Sequence, residues 1–131
     1  MKLVDSSAWV EFLRRKGNSE VKQEVARLLE ADLAAYTCPI RFELFSGVKP
    51  DEEADLDEAF RYSHHVPFEK DDWREAAILE RRLRSEGVTI PRNDLFVATV
   101  AIRTGLVIAC RDVHFDRIRH VVGERLKVDQ M

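Results

Sequence analysis

The stretch IPRNDLFVATVAIRTGLVIACRD, residues 90–112, contains one helix-to-strand unit and decides the fold class. Residues 95–102, LFVATVAI, are apolar nearly all round, so a helix here belongs at the centre of the molecule. Gly105 falls just past that pattern, where a left-handed C′ residue is wanted. Residues 106–110, LVIAC, then run continuously apolar, as in a strand buried on both faces of a parallel sheet. Acids bracket the unit: Asp94 opens the helix and Asp112 follows the strand.

Working outward, the same alternation recurs. LVD (3–5), AAYTC (34–38), HHVPF (64–68) and LKV (126–128) read as further short strands. Val21, Val25, Leu28 and Leu29 follow helical spacing, and Trp73, Ala76, Ala77 and Leu83 make a second stripe. Gly47 and Gly87 are expected just past helix ends. No linker, repeat or composition break divides residues 1–131, which predicts a single domain. Strand–helix alternation over one core implies a three-layer α/β/α sandwich whose central sheet is mainly parallel, with about five strands.

Bulk properties bound the function. A chain of 131 residues with 45% apolar and 34% charged residues describes a soluble globular protein able to bury a core without staples. No apolar run is long enough to span a bilayer, and the N-terminus lacks signal-peptide features, so a cytoplasmic location is expected. Cys38 and Cys110 lie far apart without a Cys-x-x-Cys partner, which predicts free thiols and no zinc site. His64 and His65, at the start of a strand, are given structural or surface roles. A net charge of −3 argues against a basic nucleic-acid coat. The acidic block 51–58, DEEADLDE, suits the first turns of a helix. The second half is arginine-rich, and Arg92 and Arg111 lie nearest the acids in sequence.

Four acids sit where a charge needs a reason. Asp5 follows the first strand, in LVDSS, and Glu43 lies in the apolar helix PIRFELFSG (39–47) directly after the second. Each has a plain reading. Asp5 and Asp94 (with Asn93) could cap helices, Glu43 could reach solvent, and Asp112 could be a turn residue. Taken jointly the reading changes. In a parallel sheet all strand C-termini share one edge, so Asp5, Glu43 and Asp112 emerge at one rim. Asp94 joins them, because its helix runs antiparallel to the strand that follows. Four acids without matching bases repel one another unless a hard divalent cation neutralises them, and oxygen ligands suit Mg²⁺ or Mn²⁺. On this reading Asp5 is a ligand, and Ser6 or Ser7 is left to cap the helix.

The order LVDSS…RFELFSG…PRNDLFVATVAI…CRDVHFDRI resembles the PIN domain, most closely the VapC-type toxins of bacterial toxin–antitoxin pairs, over residues 3 to about 120. The resemblance implies a Mg²⁺- or Mn²⁺-dependent endoribonuclease with Asp5, Glu43, Asp94 and Asp112 at the family's acidic positions. Ser7 matches the small hydroxyl residue near the first acid, and Arg92 and Arg111 are expected near substrate phosphates. Two positions depart from the pattern. Cys110 stands where Thr or Ser is common, and His114 stands where some members carry a further acid.

The resemblance also implies a small VapB-like antitoxin partner. It is expected to lay an amphipathic helix around Trp9, Phe12 and Leu13 and to send an Arg or Lys toward the acids. With the Trp73–Leu83 stripe, it further suggests a two-fold homodimer. Two other readings compete: a PIN-like scaffold that binds RNA or protein without cleaving, and a phospho-accepting receiver domain. The receiver reading wants an acidic pair at strand one and an exposed Asp after strand three, where this chain has one acid and Glu69.

Overall fold

Five short strands form: β1 (Lys2–Val4), β2 (Ala34–Thr37), β3 (His64–Val66), β4 (Val107–Cys110) and β5 (Lys127–Gln130). A computed structural model describes all 131 residues and pairs every strand parallel, in the order β3-β2-β1-β4-β5. Leu3 faces Ala35 on one side and Ile108 on the other. Both flanking strands carry small or branched residues here, as a central strand covered on both faces requires. The order is not the 2-1-3-4-5 of flavodoxin-like receivers, which removes that reading.

Seven helices connect the strands: α1 (Ser6–Leu13), α2 (Ser19–Glu30), α3 (Cys38–Gly47), α4 (Glu53–Arg61), α5 (Asp72–Ser85), α6 (Arg92–Thr104) and α7 (Val113–Val122). From β1 the chain steps through β2 to β3 at one edge, then crosses back to β4 and on to β5. Right-handed crossovers in opposite directions put α1–α4 on one face and α5–α7 on the other, giving three layers. The direction reverses between β1 and β4, the switch point where open α/β sheets form a crevice beyond the strand ends. No helix is long and apolar enough to cross a membrane.

The 90–112 unit folds as read. Leu95, Val97, Ala98, Val100 and Ala101 of α6 are all buried, and Gly105 closes the helix at φ 74°. Gly87 likewise takes φ 76° just after α5. Gly47 does not. It is the last residue of α3, and Val48 ends the helix in an extended conformation. The α5 stripe is also shifted. Its buried face is Asp72, Ala76, Leu79 and Leu83, whereas Trp73 is 61% exposed and Ala77 is exposed. The cause is the buried Asp72, whose carboxylate receives both Nε and Nη2 of Arg103 at 2.9–3.0 Å and so tolerates the core-facing position. Trp9 belongs wholly to the core, edge-to-face with Phe60 and Phe12, and offers no surface to a partner. His64 pairs with Asp32 at 2.9 Å and His65 stacks on Tyr36.

Candidate metal centre

The rim is built at the switch point. Beyond the end of β1, Asp5 donates its backbone N–H to the Ala109 carbonyl of β4 at 2.9 Å, so the two strand ends are tied together. Asp5 Oδ2 accepts from Ser7 N–H at 3.1 Å and from Ser7 Oγ at 2.6 Å. Asp5 is therefore itself the N-cap of α1, and the serines are not. One oxygen serves the cap; Oδ1 makes no such bond. Ser7 Oγ also accepts from the Arg111 N–H at 3.0 Å, which joins the starts of α1 and of the β4–α7 turn through one hydroxyl.

Asp94 occupies the third position of α6 rather than the cap, which is Pro91. It is only 8% exposed, and its Oδ2 lies 2.8 Å from His114 Nδ1. Asp112 caps α7: its Oδ1 accepts from the His114 N–H at 2.9 Å and lies 3.0 Å from His114 Nδ1. The donor atoms of Asp94, Asp112 and His114 all lie within 4.8 Å of one another, a group to which Asp5 and Glu43 do not belong. Glu43, on α3, is exposed and accepts a hydrogen bond from Asn93 Nδ2, which also donates to the Pro39 carbonyl at 3.2 Å. Glu43, Asn93, Asp94, Asp112 and His114 line one open cleft of about 470 Å³.

Charge accumulates here without basic relief. No Lys or Arg lies within salt-bridge distance of the four acids; only His114 does. Burial pushes the Asp5 carboxyl up to about 6, against the lowering by Ser7, and the charges of Glu43 and Asp112 add to the rise. Asp94 is raised by burial, then by Asp112 and Asp5, and His114 opposes the rise. Asp5 and Asp94 thus feel the neighbouring acids, as convergence at one rim requires. A cluster of oxygen donors that resists ionisation fits a hard divalent cation, which would hold the anionic forms in place.

Three residues that position the site were not read from the sequence. Gln130 on β5 accepts from Asp112 N–H at 3.2 Å and donates to the Asp112 carbonyl at 2.7 Å, fixing that residue's backbone from both sides. Asn93 steadies Glu43, and His114 bridges Asp94 and Asp112. All three depend on contacts between distant segments, and only His114 carried a signal, as a departure from an acid. Cys110 keeps part of the expected hydroxyl's role, with its thiol 3.9 Å from the Asp112 carbonyl. Burial pushes that thiol up to about 12, so it stays protonated. Arg92 turns to Glu80 of α5 at 3.4 Å and does not line the cleft, whereas Arg111 is exposed beside the Ser7 clamp.

Comparison with known proteins bears on the family and the fold. Residues 2–121 match the model of the PIN domain. The chain is 38% identical over 130 residues to VapC ribonuclease Mb1587 of Mycobacterium bovis and to Ribonuclease VapC11 of Mycobacterium tuberculosis, covering 94% of this chain and 95% of each relative. Among solved structures, VapBC2 from Rickettsia felis bound to a promoter DNA fragment superposes with a TM-score of 0.81 at 16% identity, over 99% of this chain and 98% of that one. FitAcB from Neisseria gonorrhoeae gives 0.78 at 21% identity, over 98% and 96%. The structural likenesses speak for the fold, and the sequence likenesses carry the assignment further: the chain belongs to the PIN-domain family, among its VapC ribonucleases.

Proposed function

We propose that this chain is a metal-dependent endoribonuclease acting as the toxin of a toxin–antitoxin pair, with Asp5, Glu43, Asp94 and Asp112 holding Mg²⁺ or Mn²⁺. The observation that carries the reading is the position of Asp94 and Asp112, facing each other at the sheet's switch point with no Lys or Arg to neutralise them. A bound cation would polarise the scissile phosphodiester and supply hydroxide at neutral pH. The chain's own residues do the rest. Ser7 and the Ala109 carbonyl fix Asp5, Gln130 fixes Asp112, and Asn93 turns Glu43 toward the cleft. Arg111 offers an unpaired guanidinium at the rim for a flanking phosphate of RNA.

The partner we propose is a small VapB-like antitoxin, by likeness to VapBC assemblies such as that of Rickettsia felis. With Trp9 in the core, the surface we propose for such a segment is the groove between α1 and α3, lined by the partly buried Val10, Leu13 and Val48 over Leu44 and reaching Glu43. An inhibitor's guanidinium entering from that groove would meet the carboxylates bidentately. The homodimer we propose uses the exposed Trp73, which packs edge-to-face with Phe68 and Phe96 in an aromatic trio at the surface. The cytoplasm is the proposed place of action.

The test is incubation of total cellular RNA with the purified chain in Mg²⁺ or Mn²⁺, with end mapping and an EDTA control. Discrete cuts that EDTA abolishes support the reading. Binding of RNA without cuts would favour a silent scaffold instead.

A further inference from the structure

His114 is the one imidazole among the carboxylates of this rim. It follows Asp112 by two residues in the first turn of α7, and its side chain, 33% exposed, is aimed into the cleft between Asp94 and Asp112. Its Nδ1 lies 2.8 Å from Asp94 Oδ2 and 3.0 Å from Asp112 Oδ1. Ligands at about 2.1 Å from one octahedral cation stand roughly 3.0 Å apart when they occupy neighbouring corners. His114 Nδ1 therefore already stands at the spacing of an adjacent ligand from each of the two carboxylate oxygens, and all three donor atoms lie within 4.8 Å of one another. The ring is held for this: the His114 N–H is bonded to Asp112 Oδ1, so backbone and ring are anchored to the same carboxylate.

Resting on the metal-dependent reading above, we propose that His114 Nδ1 is a direct ligand of the cation held by Asp94 and Asp112, and that it tilts the site toward Mn²⁺ over Mg²⁺. Mg²⁺ is hard, takes oxygen almost exclusively and keeps its waters, whereas an imidazole nitrogen suits first-row transition ions. The neutral ring binds through Nδ1 with its proton on Nε2. The departure from an acid at this position is then a change of metal preference rather than the loss of a ligand.

The test is pulsed electron paramagnetic resonance of the Mn²⁺-loaded wild-type chain, with equilibrium titrations of Mn²⁺ and, by competition, Mg²⁺. A directly bound imidazole gives a nitrogen coupling to Mn²⁺ in the wild type that His114→Asn loses. Mn²⁺ affinity should fall by about tenfold or more in that variant, with a much smaller change for Mg²⁺, and His114→Asp should move the preference toward Mg²⁺. The wild-type spectrum does not depend on any variant folding. Mn²⁺ bound without nitrogen coupling, with His114→Asn keeping the wild-type Mn²⁺/Mg²⁺ ratio, would overturn the inference and leave the carboxylate site standing. A wild-type chain that binds neither ion would overturn both.

Discussion

Asp5→Asn separates stability from function at the rim, because the structure makes the Asp5 charge a burden to the fold. The side chain is 2% exposed, and burial and neighbouring acids lift its carboxyl from an ordinary 3.8 to about 6. At about 1.4 kcal/mol per tenfold change in proton affinity, ionising Asp5 in the folded chain costs roughly 3 kcal/mol more than in the unfolded chain. The sign follows from proton counts. Between 3.8 and about 6 the folded state holds the proton that the unfolded state has released, so stability falls as pH rises through that window and the loss is complete above it. Asparagine keeps an oxygen to accept from Ser7 and is as good an N-cap. Near neutral pH in EDTA, Asp5→Asn should therefore stabilise the chain by up to about 3 kcal/mol, or roughly 10 °C in Tm, while removing a carboxylate from the rim. The gain should shrink toward zero near pH 4. Divalent ion should then raise the Tm of the wild type more than that of the variant. Denaturant melts across pH give the answer. A variant less stable than wild type near neutrality, or a gain that does not change with pH, would refute the burden assigned to Asp5.

Other contacts make separate predictions. Arg103→Ala should destabilise the fold by about 3 kcal/mol in denaturant melts, because it strands the buried Asp72 charge. Ser7→Ala removes the hydroxyl that donates to Asp5 and accepts from Arg111; a loss of about 1–2 kcal/mol together with slower RNA cleavage is expected. Trp73→Glu should leave the fold intact and convert the proposed homodimer to a 15.2 kDa monomer in light scattering.

What the chain discloses before it folds follows from how local each signal is. The LVIAC strand and the buried α6 were legible because a run apolar on every side has only the interior to occupy. Asp94 and Asp112 were legible as a pair because each stands at a junction of such an element, where charge is out of place. Asp72 was not, since a lone Asp beside Trp73 reads as surface, and only Arg103, 31 residues away, makes its burial tolerable. Gln130 was invisible for the same reason, and Asn93 was read only as a possible cap, because its bond to Glu43 joins segments 50 residues apart. Asp5 was read as ligand in place of cap, whereas one carboxylate has two oxygens and the cap uses only Oδ2.

Cleavage of RNA by Asp94→Asn beside the wild type, in Mg²⁺ and in Mn²⁺, tests the central claim most directly. Asp94 caps nothing, so the variant keeps the shape of α6 and loses only a charge and one carboxylate oxygen, exchanged for an amide NH₂. The account predicts a chain folded by circular dichroism whose cleavage rate falls at least about a hundredfold with either ion. Cleavage at the wild-type rate would contradict the assignment of this rim as the metal centre.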